Sequence, residues 1–170
     1  VSLRPAPKIR PAVPADVPQV FAFIRALARF ERLEHEVETE GAVERLHEHL
    51  FGPRPACEVL IADDPAADGT ALGFALFFPV YSTFKTEVCL HLEDLFVLPE
   101  ARGRGIGEAL LRAVAAVGDA RGCARVQWNV LDWNRGAILF YERLGATVLP
   151  DWRTCRVEGR AAIRALAGRG

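Results

Sequence analysis

The sequence predicts a mixed α/β sandwich around a mostly antiparallel sheet, and three observations predict it. Cys57–Ala62, Ala71–Val80 and Val88–Leu98 are apolar runs separated by the turn Asp63-Asp64-Pro65 and by a polar stretch from Tyr81 to Glu87, the pattern of an antiparallel meander. Leu95–Leu98 stops at Pro99 and passes through a turn containing Gly103, Gly105 and Gly107. Ile106, Leu110, Val114 and Val117 then recur at spacings of three and four, which is one face of a helix. Beyond that helix, strand-like and helix-like patterns alternate again.

At 170 residues the chain is long enough for one sizeable core, and residues 1–170 are expected to form a single domain. A hydrophobic content of 51% with 25% charged residues describes a globular chain, and no apolar run approaches the ~18 residues that span a bilayer. The N-terminal stretch lacks the apolar segment of a signal peptide, so a cytoplasmic protein without membrane attachment is expected. A net charge of −1 argues against a general nucleic-acid surface. Cys57, Cys89, Cys123 and Cys155 are scattered and form no Cys-x-x-Cys pair, so free thiols are expected and no metal centre.

Taken in order, Ile9–Val13 reads as a first strand. Asp16 is the expected N-cap of a helix carrying Val17, Val20, Phe21, Ile24, Leu27 and Ala28 on one stripe, with Gln19 in capping-box position. The chain then turns acidic, with Glu31, Glu34, Glu36, Glu38, Glu40, Glu44 and Glu48 against Arg32 and Arg45, a balance that suits a cationic partner. A second helix is expected there, capped by Thr39 and buried through Val43, Leu46 and Leu50, until Gly52-Pro53-Arg54-Pro55 breaks it. In the third apolar run, Val88, Leu90 and Leu92 alternate with Cys89 and His91, but Glu93 and Asp94 fall together before Leu95 and Val97. The apolar phase slips by one residue, which predicts a β-bulge at Glu93 or Asp94. Gly122 ends the glycine-turn helix, and Val126, Trp128 and Val130 alternate as a strand. Arg135–Leu144 reads as a helix closed by Gly145, with Ala137, Ile138, Tyr141 and Leu144 as its buried stripe. Thr147–Leu149 and Thr154–Val157 read as closing strands before a last helix from about Arg160 to Leu166.

The glycine turn carries the chemistry. Glycines at a helix N-terminus let the backbone approach a ligand, and the unpaired N–H groups and positive dipole end there suit an anion. A Walker A loop is excluded because Gly107 is followed by Glu108 and the turn has no Lys, and a dinucleotide fingerprint fails because Glu108 stands three residues after Gly105. What remains, Arg102-x-x-Gly105-x-Gly107 after an apolar strand, resembles the pyrophosphate loop of GNAT-type N-acetyltransferases. Leu92-Glu93-Asp94-Leu95-Phe96-Val97, Val130-Leu131-Asp132-Trp133-Asn134 and Ala137–Ala146 extend the likeness, as do Ala28-Arg29-Phe30-Glu31 and Tyr81-Ser82-Thr83-Phe84. Together they resemble the spermidine/spermine branch of that family, with its diamine and thialysine acetyltransferases. The resemblance implies a GNAT-like fold, a twisted sheet with a splayed, bulged strand and helices on both faces, and a homodimer.

It also implies roles. Acetyl-CoA would be the acyl donor, its pyrophosphate on Arg102, Gly103, Arg104, Gly105, Ile106 and Gly107, and its pantetheine arm against the backbone of Phe96 and Val97 and near Asn134. Tyr141 matches the acid that protonates the departing thiolate. Glu93 matches the base, acting directly or through a water, with His91 as the alternative where the family more often has an aromatic residue. Asp94, Glu31, Glu34 and Trp152 would face the acceptor amine. A base is needed because an amine of pKa ~10.4 loses its proton at pH 7 only at a cost of about 4.6 kcal/mol. The family's glycine in the loop before Leu92 is Thr86 here, and Asp151 replaces its glycine before Trp152. These departures bear on which amine is bound. The implied activity is acetyl transfer to a small cationic amine; the alternatives are a protein lysine or N-terminal acetyltransferase and a non-catalytic acyl-CoA sensor.

Overall fold

A computed structural model describes residues 6–67 and 69–168. Five strands follow one another across one sheet: β1 (Lys8–Pro11), β2 (Glu58–Asp63), β3 (Ala71–Ser82), β4 (Glu87–Val97) and β5 (Val126–Gln127). The first four pair antiparallel, and β5 alone runs parallel to β4, against Leu90 and His91. This is the mixed, mostly antiparallel architecture expected. By clustering of contacts the chain falls into two units, one up to Asn129 and one from Val130 on.

In the first unit, side-chain alternation sorts the core onto two faces. Val59 and Ile61 of β2, Phe74 and Leu76 of β3 and Phe96 of β4 pack with Val17, Val20 and Phe23 of α1 (Val17–Glu31) and with Leu50 of α2 (Ala42–Phe51). Phe23 stacks on Phe74 with ring centroids 5.6 Å apart. The other face takes α3 (Ile106–Ala120), whose Ile106, Leu110, Leu111 and Val114 are buried. At Gly118 that helix comes so close that a Cβ would stand 3.3 Å from Val126 and 3.4 Å from Leu90.

The expected bulge is present. Leu76 pairs with Asp94 and Phe77 with Leu92, which leaves Glu93 as the extra residue on β4. Several local expectations are corrected. Asp16 flanks α1, but its carboxylate caps nothing there; it accepts the Val13 N–H at 2.7 Å and closes a 3₁₀ turn at Pro14–Asp16. A stronger partner has claimed it, since Arg10 bridges Asp16 and Asp63, at 2.6 Å each. Thr39 does not cap α2 by its side chain; its carbonyl accepts the Ala42 N–H, and Gly41 takes the capping position with φ 61°. The strand expected at Val126–Val130 is laddered only over its first two residues. The β3–β4 turn holds Thr86 at φ 56°, a left-handed geometry that normally favours glycine.

In the second unit, α4 (Arg135–Arg143) ends at Leu144 and at Gly145 with φ 91°, as the glycine predicts. Its expected stripe, Ala137, Ile138, Tyr141 and Leu144, is the half-buried side of the helix. α5 (Arg160–Leu166) stands where it is expected. The two closing strands are not formed: residues 147–157 have no strand among the described residues, and Val148, Leu149 and Val157 are exposed. Apolar composition marks a strand only when a neighbouring edge supplies the hydrogen bonds, and here none does. No helix among the described residues is long and apolar enough to cross a membrane.

Arg10 holds two carboxylates from different elements, so Arg10→Met leaves them facing each other half-buried. The variant should lose about 1–3 kcal/mol at pH 7 in urea unfolding. Hydrogen bonding to Arg10 holds the Asp16 carboxyl below its ordinary value, so this contribution exists above the unfolded pKa and fades as pH falls through the folded one. The gap between variant and wild type should therefore narrow below about pH 4.

Candidate active site

The bulge at Glu93 organises the first unit's site. Leu98 donates its N–H to the Leu72 carbonyl, and the Phe96 carbonyl lies against Gly73, so the backbone groups of Phe96 are turned to β3. Alternation then puts the N–H and C=O of Leu95 and Val97 on the opposite edge, beyond the two-residue reach of β5. Of the expected pair, the backbone of Phe96 thus faces β3 and that of Val97 the opposite edge, which Leu95 shares. The period of a strand gives this alternation without saying which edge is paired. The Val97 carbonyl accepts the Arg102 Nε–H at 3.1 Å.

The turn that follows has the form of an anion cradle. Gly103 and Gly105 have φ 72° and 76°, and a Cβ at either would meet no atom within 4 Å. Gly105 is the N-cap of α3 and has no side chain to occupy the first N–H groups; the Ala109 N–H, bonded to the Gly105 carbonyl at 3.0 Å, opens the helical ladder. Ile106 anchors the turn in the core, 2% exposed. Arg104 reaches Asp64 at 3.7 Å, which ties the turn to the β2–β3 connection.

At the bulge itself, acids gather. The His91 ring stacks on Phe78 at 5.3 Å, and its Nε2 lies 3.5 Å from Glu93 Oε2. Glu93 is exposed while Asp94 is half-buried. Burial pushes the Asp94 carboxyl up to about 7, and the charges of Glu93 and Glu31 add to that. Burial raises Glu31 as well. The expected meeting of Glu93 and Asp94 with Glu31 is therefore present. Glu34 is not brought into it: its carboxylate pairs with Arg29 at 2.9 Å, and it lines a shallow hollow with Arg25, Val37 and Thr39.

In the second unit, Asn134 caps α4, its Oδ1 accepting the Ala137 N–H at 3.2 Å, so its amide N–H donors are what it can offer a ligand. The Tyr141 ring lies half-buried, 5.1 Å from that of Phe140. Trp152 is 75% exposed. Among the described residues no group of His, Cys, Asp and Glu could hold a metal ion.

The profile of the acetyltransferase (GNAT) family matches residues 22–146, across both the glycine turn and α4. The chain belongs to that family. The acetyltransferase is 38% identical to mouse thialysine N-epsilon-acetyltransferase, over 95% of this chain and 98% of the relative. It is 34% identical to an L-ornithine N5-acetyltransferase of Arabidopsis thaliana, over 91% of this chain and 85% of that one. Among solved structures, an integron cassette protein of V. cholerae superposes with a TM-score of 0.78 at 25% identity, covering 96% of this chain and 98% of its own. The fold and the N-acetyltransferase activity expected from the sequence are both upheld.

Because the raised carboxyl of Asp94 binds a proton in the folded state at pH values where the unfolded chain has lost it, wild-type stability falls as pH rises from about 4 to about 7. Asp94→Asn stays neutral throughout. The variant should therefore gain on the wild type across that window, reaching about 4 kcal/mol at pH 8, as read from urea unfolding at a series of pH values.

Proposed function

We propose that this acetyltransferase moves the acetyl group of acetyl-CoA to a primary amine of a small cationic molecule, a diamine, a polyamine or a lysine-like amine, by direct attack in a ternary complex. The observation that carries the reading is the gathering of Glu31, Glu93 and Asp94 at the bulge, a local concentration of carboxylates in a chain of nearly balanced charge. Ammonium groups are the chemistry such a cluster attracts. The names of the mouse and Arabidopsis relatives, with acceptors that carry a side-chain amine, support the same class.

On this reading the pyrophosphate lies on the backbone of Arg102–Gly107, where open space and unpaired N–H groups suit it. The pantetheine arm extends the sheet along the open edge of Leu95 and Val97, with the amide of Asn134 as a further donor. Glu93 takes a proton from the bound ammonium, directly or through a water, and His91 beside it orients the carboxylate. The freed nitrogen attacks the acetyl carbon, the carbon–sulfur bond breaks, the Tyr141 phenol supplies the proton that the departing thiolate takes up, and the second proton shed by the acylated nitrogen returns to the phenolate through water. Asp94 and Glu31 hold a second ammonium group, and Trp152 borders the acceptor. We place the enzyme in the cytoplasm, where free thiols such as Cys57, Cys89, Cys123 and Cys155 persist. The family match spans the boundary between the two units, which supports their acting as one domain. Exposed Tyr81, Phe84 and Val88 on the β3–β4 hairpin support a homodimer.

A thiol-release assay over diamines, polyamines, thialysine, amino acids and lysine peptides tests the reading. Release is expected with small amines carrying two or more amino groups; preference for lysine peptides would move the acceptor to proteins, and donor binding without release would mark a sensor. Tyr141→Phe should keep the fold and donor affinity while lowering kcat ~10²–10⁴-fold. Raising salt should increase KM for a diamine more than for a monoamine, since exposed charges are screened within about 8 Å at physiological ionic strength. Equal salt sensitivity would reject the cation-selective site.

A further inference from the structure

Arg102 belongs by position to the anion turn, yet its side chain is engaged elsewhere. Its Nε–H is given to the Val97 carbonyl, and its guanidinium carbon lies 4.8 Å from the ring centroid of Phe30 and 5.8 Å from that of Phe96. Phe96 is a buried core ring of β4, whereas Phe30 is 41% exposed on the last turn of α1. Each ring stands next to a carboxylate of the bulge cluster. Glu31 follows Phe30 in the chain, and Asp94, two residues before Phe96 on β4, shares its face of the sheet. Whenever Asp94 is ionised, its like charge with Glu31 pushes the end of α1 away from β4. The helix ends at Arg32 with φ 64°, and the Arg32 and Leu33 N–H groups bond back to the Arg29 and Ala28 carbonyls at 3.2 and 2.8 Å, so the last turn carries Phe30 and Glu31 as one unit. A cation set between the two flanking rings opposes the repulsion without neutralising the carboxylates.

We propose that the Arg102 side chain is a positioning residue for the acceptor amine, a clamp between Phe30 and Phe96 that fixes the spacing of Glu31 and Asp94, while the loop backbone alone serves the donor. The inference rests on the reading of the bulge carboxylates as the acceptor site.

Steady-state kinetics with a diamine and calorimetric titration with CoA, both on the full chain, separate the roles. Arg102→Gln keeps a donor for Val97 and loses the cation; diamine KM should rise about three- to tenfold, while kcat and the Kd for CoA change by less than about twofold. Phe30→Leu should give the same KM rise, and the double variant should be no worse than either single one, because both remove one interaction. Arg102→Lys, which returns a cation to the rings, should recover part of the loss. A raised Kd for CoA with unchanged diamine KM in Arg102→Gln would make Arg102 a donor ligand and overturn the clamp, as would additive KM effects with Phe30→Leu. Unchanged diamine KM in Glu31→Gln would instead overturn the acceptor reading itself, and the clamp with it.

Discussion

One extra residue in β4 sets the geometry on which the rest of the site depends. Up to Leu92, this strand is laddered on both sides, to β3 and at Leu90 and His91 to β5. Glu93 then has no opposite number, the strand resets its register on β3, and the backbone of Leu95 and Val97 is left facing an edge with no strand on it. Unpaired backbone groups inside a protein are costly unless something satisfies them. Here the side chain of Arg102 satisfies the Val97 carbonyl, and on the proposed reading an acyl-CoA arm would add itself along the same edge. The same insertion turns Asp94 onto the face covered by α1, where it meets Glu31. The open edge of β4 and the meeting of Asp94 with Glu31 are thus two products of one local irregularity.

The electrostatics of the two ends follow from burial as much as from charge count. Net charge is only −1, but the sign is unevenly distributed: an N-terminal helix end with Arg102 and Arg104 beside it lies on one side of β4's end, and three carboxylates lie at the bulge. Desolvation leaves Asp94 near its titration point at neutral pH, so a bound ammonium would shift its proton equilibrium as well as pair with it. Glu93, more exposed, keeps access to water, which is the proton route that the proposed base role requires.

Much of this was legible in the chain because the controlling signals are local. The phase slip between Leu92 and Leu95 announced the bulge, Arg102-x-x-Gly105-x-Gly107 announced the cradle, and Gly145 announced the end of α4. What escaped was decided by partners distant in sequence. Asp16 has every mark of a cap, yet Arg10 and the Val13 N–H outbid the helix for its carboxylate. Glu34 resembles Glu31 in composition and spacing, but Arg29 takes it. Which edge Leu95 and Val97 turn outward carries no side-chain signal at all, since it is a property of the backbone. Val148, Leu149 and Val157 have the composition of strands without an edge to join. The contact of Arg102 with Phe30 joins residues far apart in the chain, and nothing in their spacing points to it.

The close seating of α3 at Gly118 has a mechanical consequence. Gly118 and the turn at Gly105 stand at opposite ends of a continuous helix, about 20 Å apart at 1.5 Å per residue. A helix of that length moves nearly as a rigid rod, pivoting where its buried middle, Leu110 to Val114, is gripped by the sheet. A methyl group added at Gly118 would crowd the side-chain ends of Val126 and Leu90, and whatever part of that strain these do not absorb tilts the rod and moves its far tip, where the first N–H groups of α3 are mounted. The aim of the anion turn is therefore governed in part by the size of one side chain near the other end of the helix, a lever arm hidden in what reads along the sequence as an ordinary small residue.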